Sequence, residues 1–271
     1  MKSSNILNIL IILILVILMC LVYLNNSSEN FENIEHPFFE KIRKYAGKKK
    51  NILICSAGPS LNQLYYLKDT IPQSFWENTY VIAVKSTVNK LVDLNINIDF
   101  IVTNLNGNIA KIDFEKLDKS LNNGSILICG MGGGGNKILK SKCEYKLEVD
   151  WQFNIMDCVI KNKKNCLDFF VKNNKLYHKW GHTMMELAIP IAVYLKPKNI
   201  FTIGWDINIL NDDKINQKIH YNTENFINWA SDYDIINFTK YLPSYLKKNY
   251  NINIYKLYNQ SAVKLPYFSF K

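Results

Sequence analysis

The chain has 271 residues, of which 48% are hydrophobic, and a formal net charge of +10. This length suits one medium-sized domain with an appendage, and the hydrophobic fraction is ample for a core. Lysine and arginine are scattered along the chain without a basic helix interleaved with aromatic residues, which argues against nucleic acid as partner and favours an anionic substrate or a membrane surface.

The N-terminal region predicts a membrane anchor. Residues 1–5 form a short leading segment, and residues 6–24 are apolar apart from Asn8. At about 1.5 Å per residue, this run nearly spans a hydrocarbon layer of about 30 Å. A cleaved signal peptide is the rival interpretation, but its apolar core would be shorter, about 7–15 residues. We therefore expect an uncleaved transmembrane helix over residues 6–24.

The charges around this run predict its orientation. Lys2 and the amino terminus precede it, whereas Glu29, Glu32 and Glu35 follow it. The excess of positive charge on the N-terminal side predicts a single-pass protein with a cytoplasmic N-terminus and a lumenal or extracytoplasmic domain. Residues 25–45 are interpreted as a flexible tether, and residues 46–271 as the folded domain.

The domain shows an alternation of strand and helix patterns. Apolar runs predict strands over residues 52–55, 80–84, 100–103, 126–129, 200–203 and 252–257. Helix-compatible segments cover residues 61–69, 87–94, 114–121, 183–195 and 235–248. This alternation predicts a Rossmann-like α/β domain whose mainly parallel sheet has helices on both faces. The aromatic, irregular stretches 145–153 and 158–180 are interpreted as a small cap region beside the sheet.

Ligands of such sheets bind beyond the carboxyl ends of the strands. The residues in that position are Ser56 to Ser60, Lys85, Asn104, the loop 130–136, and Gly204 to Asp206. The glycine-rich loop contains Gly-x-Gly-x-x-Gly, but no strand ending in an acid follows at the expected distance, so a mobile loop is favoured over a dinucleotide site.

The first strand leads into a turn of small residues. Pro59 suits the first turn of a helix, and Ser60 has a side-chain oxygen for free N–H groups there. A strand that passes through Gly58 into a helix N-terminus suits a phosphate group. An ordinary strand–turn–helix unit is the alternative.

The cysteines predict no particular chemistry. Cys143, Cys158 and Cys166 lack Cys-x-x-Cys spacing and a nearby histidine pair, so no metal site is expected. Cys55 and Cys129 lie at the ends of predicted strands, where cysteine usually acts as a small hydrophobe. A disulfide among these residues remains open.

Four motifs in this order resemble a known clan. They are Gly58-Pro59-Ser60, the segment 181–206 that ends in Gly-x-Asp, His220-Tyr221, and the segment 254–262. Together they resemble the bacterial lipooligosaccharide sialyltransferases and the wider clan that holds flagellin-modifying nonulosonate transferases and archaeal MptE-like pterin diphosphokinases. The resemblance spans about residues 51–268.

The resemblance implies an α/β domain that uses a CMP-activated sugar without a further cofactor or an obligatory metal. It implies substrate contacts from ten residues: Ser56, Gly58, Pro59, Ser60, Lys85, Asn104, Thr183, Gly204, Asp206 and Tyr221. For the catalytic role, His220 is a candidate general base because histidine titrates near neutrality, and Glu224 is the other candidate.

The sequence also departs from the sialyltransferase pattern. An asparagine of the first loop falls on Ala57, an asparagine after the second strand falls on Lys85, and a tyrosine that assists the leaving phosphate falls on Asn208. The catalytic histidine of the family falls on Glu224.

Three functions therefore stay open at this stage. The first is a membrane-anchored glycosyltransferase that moves a sialic-acid-like sugar from a CMP-activated donor to a glycan or glycolipid. The second is a Mg-dependent diphosphokinase-like transferase, with magnesium held by acids such as Asp206. The third is an inactive relative that binds a nucleotide or glycan.

The predicted general base can be tested directly. We expect His220→Ala to lower the turnover of sugar transfer with little change in CMP affinity, because the base acts on the acceptor hydroxyl. Steady-state kinetics and CMP titration measure the two quantities separately. Unchanged turnover would exclude His220 as the base.

Overall fold

A computed structural model describes residues 36–104, 112–131, 137–172, 175–180, 184–206, 232–259, 261 and 263–270. The chain divides into two compact units, Met1–Pro37 and Phe38–Lys271. The architecture given below is that of the second unit.

Nine described strands form one sheet in the order β6-β7-β5-β4-β3-β2-β1-β8-β9. Neighbouring strands are parallel except for β6 and β7, which are antiparallel. The strands are β1 (Asn51–Cys55), β2 (Thr79–Val84), β3 (Phe100–Asn104), β4 (Ile126–Met131), β5 (Tyr145–Asn154), β6 (Phe170–Lys172), β7 (Lys175–Trp180), β8 (Asn199–Ile203) and β9 (Asn253–Lys256).

Helices connect most of these strands. The α-helices are α1 (Pro37–Arg43), α2 (Leu64–Thr70), α3 (Gln73–Glu77), α4 (Thr87–Asp93), α5 (Phe114–Asn122), α6 (Lys137–Lys142), α7 (Ile155–Ile160), α8 (Ile189–Tyr194) and α9 (Asp232–Tyr250). A 3₁₀ helix (Pro59–Gln63) precedes α2, and a π-helix (Met184–Ala188) precedes α8.

The apolar strands are buried on both faces of the sheet, which gives three layers. Ile52 and Ile54 of β1 pack in one hydrophobic core with α1, α7, α8 and α9. Leu53 and Cys55 of the same strand pack in a second core with α2, α3, α4, α5 and α6. Because side chains alternate between faces, a continuous apolar run is what a strand between two helical layers requires.

The order of the strands reverses at β1. Strands β2, β3, β4 and β5 follow one another on one side of β1, and β8 and β9 lie on the other side. Such a reversal opens a crevice beyond the carboxyl ends of the two strands at which it occurs. In this fold those strands are β1 and β8.

The predicted fold class is wrong about the cap region. The stretch predicted as a cap contributes β5, β6 and β7 to the sheet, and the antiparallel β6 makes that sheet mixed. The sequence carried the signal: Tyr145, Leu147, Val149, Trp151 and Phe153 alternate with polar residues, the period of a strand with one buried face. The high aromatic content of the stretch favoured its interpretation as an irregular cap instead of a strand.

The predicted membrane anchor is also corrected. In the part of the chain that the structure describes, no helix has both the length and the apolar character needed to cross a membrane. The run 6–24 and the tether up to residue 35 lie outside the described residues. The predicted transmembrane helix and single-pass location therefore have no support in the described structure.

Two disulfides are present among the described residues. Cys129 at the end of β4 is bonded to Cys143 after α6, and Cys158 of α7 is bonded to Cys166. Cys55 is a free, buried thiol, and burial raises its pKa far above the ordinary value. The question that the cysteine spacing left open is thus answered by two short-range crosslinks.

Reduction should destabilise the domain. A crosslink that closes a loop of about 15 residues contributes about 3 kcal/mol in the chain-entropy treatment. We expect a reductant to lower the melting temperature of the wild type, and to lower it less for Cys129→Ala/Cys143→Ala. Thermal unfolding with and without reductant measures both differences.

Cys55→Ala is the matched control, because it removes a buried cysteine that carries no crosslink. It should keep the full response to reductant even where its own melting temperature falls. An equal response of all three proteins would show that the Cys129–Cys143 crosslink does not stabilise the fold.

Candidate functional site

The loops predicted to carry the site leave the sheet at one edge. Cys55 of β1 pairs with Ala83 of β2 on one side and with Ile203 of β8 on the other. Because all three strands are parallel, the residues after them emerge side by side, with neighbouring strands about 4.8 Å apart. The turn after β1 therefore lies against the turn after β8.

Backbone hydrogen bonds join these two turns. The Ser56 N–H donates to the Ile203 carbonyl at 2.8 Å, and the Gly58 N–H donates to the Gly204 carbonyl at 2.7 Å. The sheet pairing of β1 and β8 is thereby continued past the ends of both strands. The 3₁₀ helix then begins at Pro59, where the absence of a backbone N–H costs nothing.

A buried carboxylate lies at the centre of this arrangement. Asp206 accepts from the Ser60 N–H through Oδ2 at 2.5 Å and from the Ser60 hydroxyl through Oδ1 at 2.7 Å. The Ser60 Oγ in turn accepts from the Gly204 N–H at 2.9 Å. Both polar groups of Ser60 are thus used to hold the turn that contains Asp206.

Burial governs the ionisation of Asp206. The residue is only 9% exposed, and removal from water raises the pKa of its carboxyl above the usual range. The two hydrogen bonds from Ser60 and the charge of Lys256 oppose this rise, since they favour the ionised form. Asp206 is therefore a carboxylate whose charge depends on its contacts with Ser60.

Two glycines allow the turns to approach this closely. A Cβ on Gly58 would lie 2.5 Å from the Gly204 carbonyl oxygen and 2.7 Å from Asp206 Oδ2. Gly204 has a φ of +72°, and a Cβ there would overlap the Ser56 carbonyl. A side chain at either position would force the turns apart.

The predicted phosphate cradle is altered by this geometry. The sequence suggested free N–H groups at the start of a helix, with the Ser60 side chain as their acceptor. In the structure the Ser60 N–H already donates to Asp206, and the Ser60 hydroxyl contacts Asp206 and Gly204. The five-residue 3₁₀ helix thus has a protein carboxylate where a phosphate was expected.

Lys85 and Asn104 lie at the same edge. Lys85 follows β2, is exposed, and has a φ of +56°; Asn104 ends β3 and is half-buried. Asparagine tolerates this left-handed conformation better than lysine does. Their roles as substrate contacts stay predictions.

Four of the predicted site residues lie outside the described residues: Thr183, His220, Tyr221 and Glu224. The structure thus brings Ser56, Gly58, Pro59, Ser60, Gly204 and Asp206 into one crevice, with Lys85 and Asn104 farther along the same edge. Among the residues it describes, it contains no group of three or more His, Cys, Asp or Glu that could hold a metal ion.

Sequence reasoning missed two hydrogen bonds and one lysine around the crevice. The Thr87 hydroxyl donates to the Cys55 carbonyl at 3.1 Å, and the Ser261 hydroxyl donates to the Trp205 carbonyl at 2.7 Å. Lys256 ends β9 at the same edge of the sheet. The signal for Lys256 is its position at the end of a strand, since the ends of parallel strands share the edge at which ligands bind.

The comparison with protein families agrees with this architecture. The chain matches the MptE-like family, described as 6-hydroxymethylpterin diphosphokinase MptE-like, over residues 23–212. The protein belongs to the MptE-like family. This membership confirms the resemblance to the clan that was drawn from the sequence. Because a diphosphokinase is a transferase, membership in this family supports a transferase.

Comparisons with individual proteins add little. No curated protein matches the chain. A solved structure, the MAf glycosyltransferase from Magnetospirillum magneticum AMB-1, is similar with a TM-score of 0.48 and 12% sequence identity. The match covers 83% of this chain and 34% of that one, so the MptE-like protein spans about a third of the length of its structural neighbour.

The contact between Ser60 and Asp206 predicts a pH-dependent loss of stability. Ser60→Ala leaves the Gly204 N–H without its acceptor and removes a donor to the carboxylate, which should cost about 2–3 kcal/mol near pH 7. The substitution raises the folded-state pKa of Asp206 further. Below the unfolded-state pKa of about 3.9 the carboxyl is protonated in both states, so the loss should grow as pH rises from about 4 to 7.

Urea unfolding at several pH values measures this dependence. Ser120→Ala is the control, because Ser120 is equally buried but bonds to a hydroxyl, that of Ser125. Its cost should not vary with pH. A pH-independent loss for Ser60→Ala would mean that the hydroxyl does not stabilise the charge of Asp206.

Proposed function

We propose that this MptE-like protein is a glycosyltransferase that moves a sialic-acid-like sugar from a CMP-activated donor to a glycan or glycolipid acceptor. The nucleotide would lie at the carboxyl edge of the sheet, at the crevice between β1 and β8. The observation that carries the proposal is the Ser60–Asp206 contact at the point where the strand order reverses.

The position of the crevice supports a nucleotide ligand. In open parallel sheets the ligand binds where the strand order reverses, and β1 and β8 are the strands at that point. Gly58 and Gly204 allow the turns after β1 and β8 to pack against each other at this point. Ser56, Lys85 and Asn104 lie along the same edge and are the proposed nucleotide contacts.

The state of Asp206 supports sugar transfer over magnesium-dependent chemistry. Magnesium takes several waters besides its carboxylate ligands and needs near-octahedral geometry. Both oxygens of Asp206 accept hydrogen bonds from Ser60, and the carboxylate is almost wholly buried. We therefore assign Asp206 the task of holding the β1 and β8 turns together, with the bound nucleotide resting against them.

Glycosyl transfer also needs a base for the acceptor hydroxyl and a group that stabilises the departing phosphate. Lys85 is exposed and directly follows β2, the neighbour of β1. As a point charge it suits stabilisation of the departing phosphate. For the base, His220 and Glu224 remain the candidates from the sequence.

The family description favours a second candidate function. A diphosphokinase would transfer a diphosphate from ATP and would require magnesium near the transferred group. Such chemistry needs carboxylates that face the ligand. Both oxygens of Asp206 instead accept hydrogen bonds from Ser60, so we rank the diphosphokinase below the glycosyltransferase.

Nucleotide titration separates the two functions. The proposal expects CMP to bind more tightly than ATP in the absence of magnesium, measured by calorimetry on the full chain. ATP binding that requires magnesium would instead support the diphosphokinase. An absence of binding by either nucleotide at millimolar concentration would contradict both and indicate an inactive relative.

A pair of glycine variants tests the place of binding. Gly58→Ala should weaken CMP binding at least tenfold, because its Cβ would separate the turns that form the crevice. Gly47→Ala is the control: it strains a residue with φ of +73° but meets no atom within 4 Å. It should lower stability and leave CMP affinity unchanged. Equal affinities for both variants would place the nucleotide elsewhere.

A further inference from the structure

A cavity of about 600 Å³ lies between α9 and the C-terminal segment. Its walls contain Lys240 and Ser244 of α9, Lys256 at the end of β9, and Ser261 and Lys264 of the segment that follows. We call it the lysine cleft. Its volume falls in the range of small-molecule sites.

Three positive charges converge on this cleft from three different elements. Lys240 comes from α9, Lys256 from β9 and Lys264 from the C-terminal segment. Ser244 lies four residues after Lys240, so its hydroxyl and that ammonium occupy neighbouring positions on one helix face. The Ser244 hydroxyl donates to the Tyr241 carbonyl at 2.9 Å, so the donors that the cleft offers to a ligand are the ammonium groups.

Among the residues that the structure describes, none of those lining the lysine cleft is acidic. Within the described ranges, none of the three lysines forms an ion pair with a carboxylate, although the charge of Asp206 acts on Lys256 from nearby. Burial, and after it the charge of Lys264, lower the pKa of Lys256. A cluster of like charges with few opposing ones costs stability, and a bound anion would remove that cost.

The lysine cleft is a fixed part of the fold. The Lys256 ammonium donates to the Ser261 carbonyl at 2.7 Å and to the Val263 carbonyl at 3.1 Å. The Lys256 N–H donates to the Pro266 carbonyl at 2.8 Å, and the Lys264 N–H donates to the Thr239 hydroxyl at 2.9 Å. These bonds hold the wall that carries Lys264 against β9 and α9.

The lysine cleft is also connected to the crevice. The Ser261 hydroxyl donates to the Trp205 carbonyl, and Trp205 directly precedes Asp206. Lys256 pairs with Thr202 of β8, so it emerges at the carboxyl edge of the sheet beside the turn that leads to Asp206. An anion in the lysine cleft would therefore lie beside the crevice.

We infer that the lysine cleft is a binding site for the phosphate group of a phosphorylated small molecule, held by Lys240, Lys256 and Lys264. Ammonium groups bind phosphate as point charges. The phosphate belongs either to the nucleotide donor or to a phosphorylated acceptor. The site itself does not depend on the proposed function; only the first of these two sources does.

Titration with inorganic pyrophosphate tests this inference on the full chain. Lys240→Gln/Lys264→Gln removes two exposed lysines of the lysine cleft and keeps Lys256, whose bonds hold the C-terminal segment. Lys247→Gln/Lys248→Gln removes two exposed lysines of α9 that do not line it. Both variants lose the same net charge, so general electrostatic attraction falls equally in both.

We expect at least a tenfold loss of pyrophosphate affinity in Lys240→Gln/Lys264→Gln and less than a twofold change in Lys247→Gln/Lys248→Gln. Equal losses in both variants, or no binding by the wild type, would overturn the inference. Thermal unfolding of both variants shows whether a loss of affinity reflects a loss of structure.

A competition experiment identifies the source of the phosphate. If pyrophosphate displaces CMP from the wild type, the lysine cleft holds the phosphate of the donor. If the two bind together, it holds a phosphate of another ligand. A protein that binds pyrophosphate in the expected pattern but never binds CMP would refute the proposed function and leave the lysine cleft in place.

Discussion

The contact between Ser60 and Asp206 is the constraint on which the crevice depends. These residues belong to turns that follow β1 and β8, and they are separated by 146 positions in the chain. The contact uses the Ser60 N–H, its hydroxyl, both oxygens of Asp206 and the Gly204 N–H. Buried polar networks of this kind are stable only when each member has its partner.

The same contact determines the electrostatics at the carboxyl edge of the sheet. The turn after β1 lies against the carboxylate of Asp206 and donates to it through Ser60, instead of presenting a vacant set of amide groups. The anionic ligand that we propose would then have to be attracted by groups placed farther along the edge. Lys85 lies on one side of the crevice and Lys256 on the other, and neither belongs to the turn that the sequence emphasised.

Much of the parallel sheet could be predicted because its strands are short, wholly apolar and separated by helical patterns. The predicted runs 52–55, 80–84 and 200–203 coincide closely with β1, β2 and β8. The stretch that forms β5 was predicted to be a cap because it is rich in aromatic residues and because its apolar residues alternate with polar ones instead of forming a continuous run. The antiparallel pairing of β6 with β7 has no short sequence signature.

The candidate site was predictable in its position but not in its bonding. Parallel topology brings residues at strand ends together, so Gly58 and Asp206 could be expected at one edge. Which donors the carboxylate accepts depends on the path of two distant turns, and no local pattern encodes that. Thr183, His220, Tyr221 and Glu224 lie outside the described residues, so their placement rests on the sequence alone.

The central position of β1 has a consequence for how the protein is made. Its partner β2 follows soon after it in the chain, but its partner β8 begins only at Asn199. During synthesis β1 therefore keeps an open hydrogen-bonding edge until most of the polypeptide has left the ribosome. Such edges invite pairing with foreign strands, and contacts between distant segments form slowly. The crevice is accordingly completed late in folding, after the flank built from β2, β3 and β4 has had time to assemble.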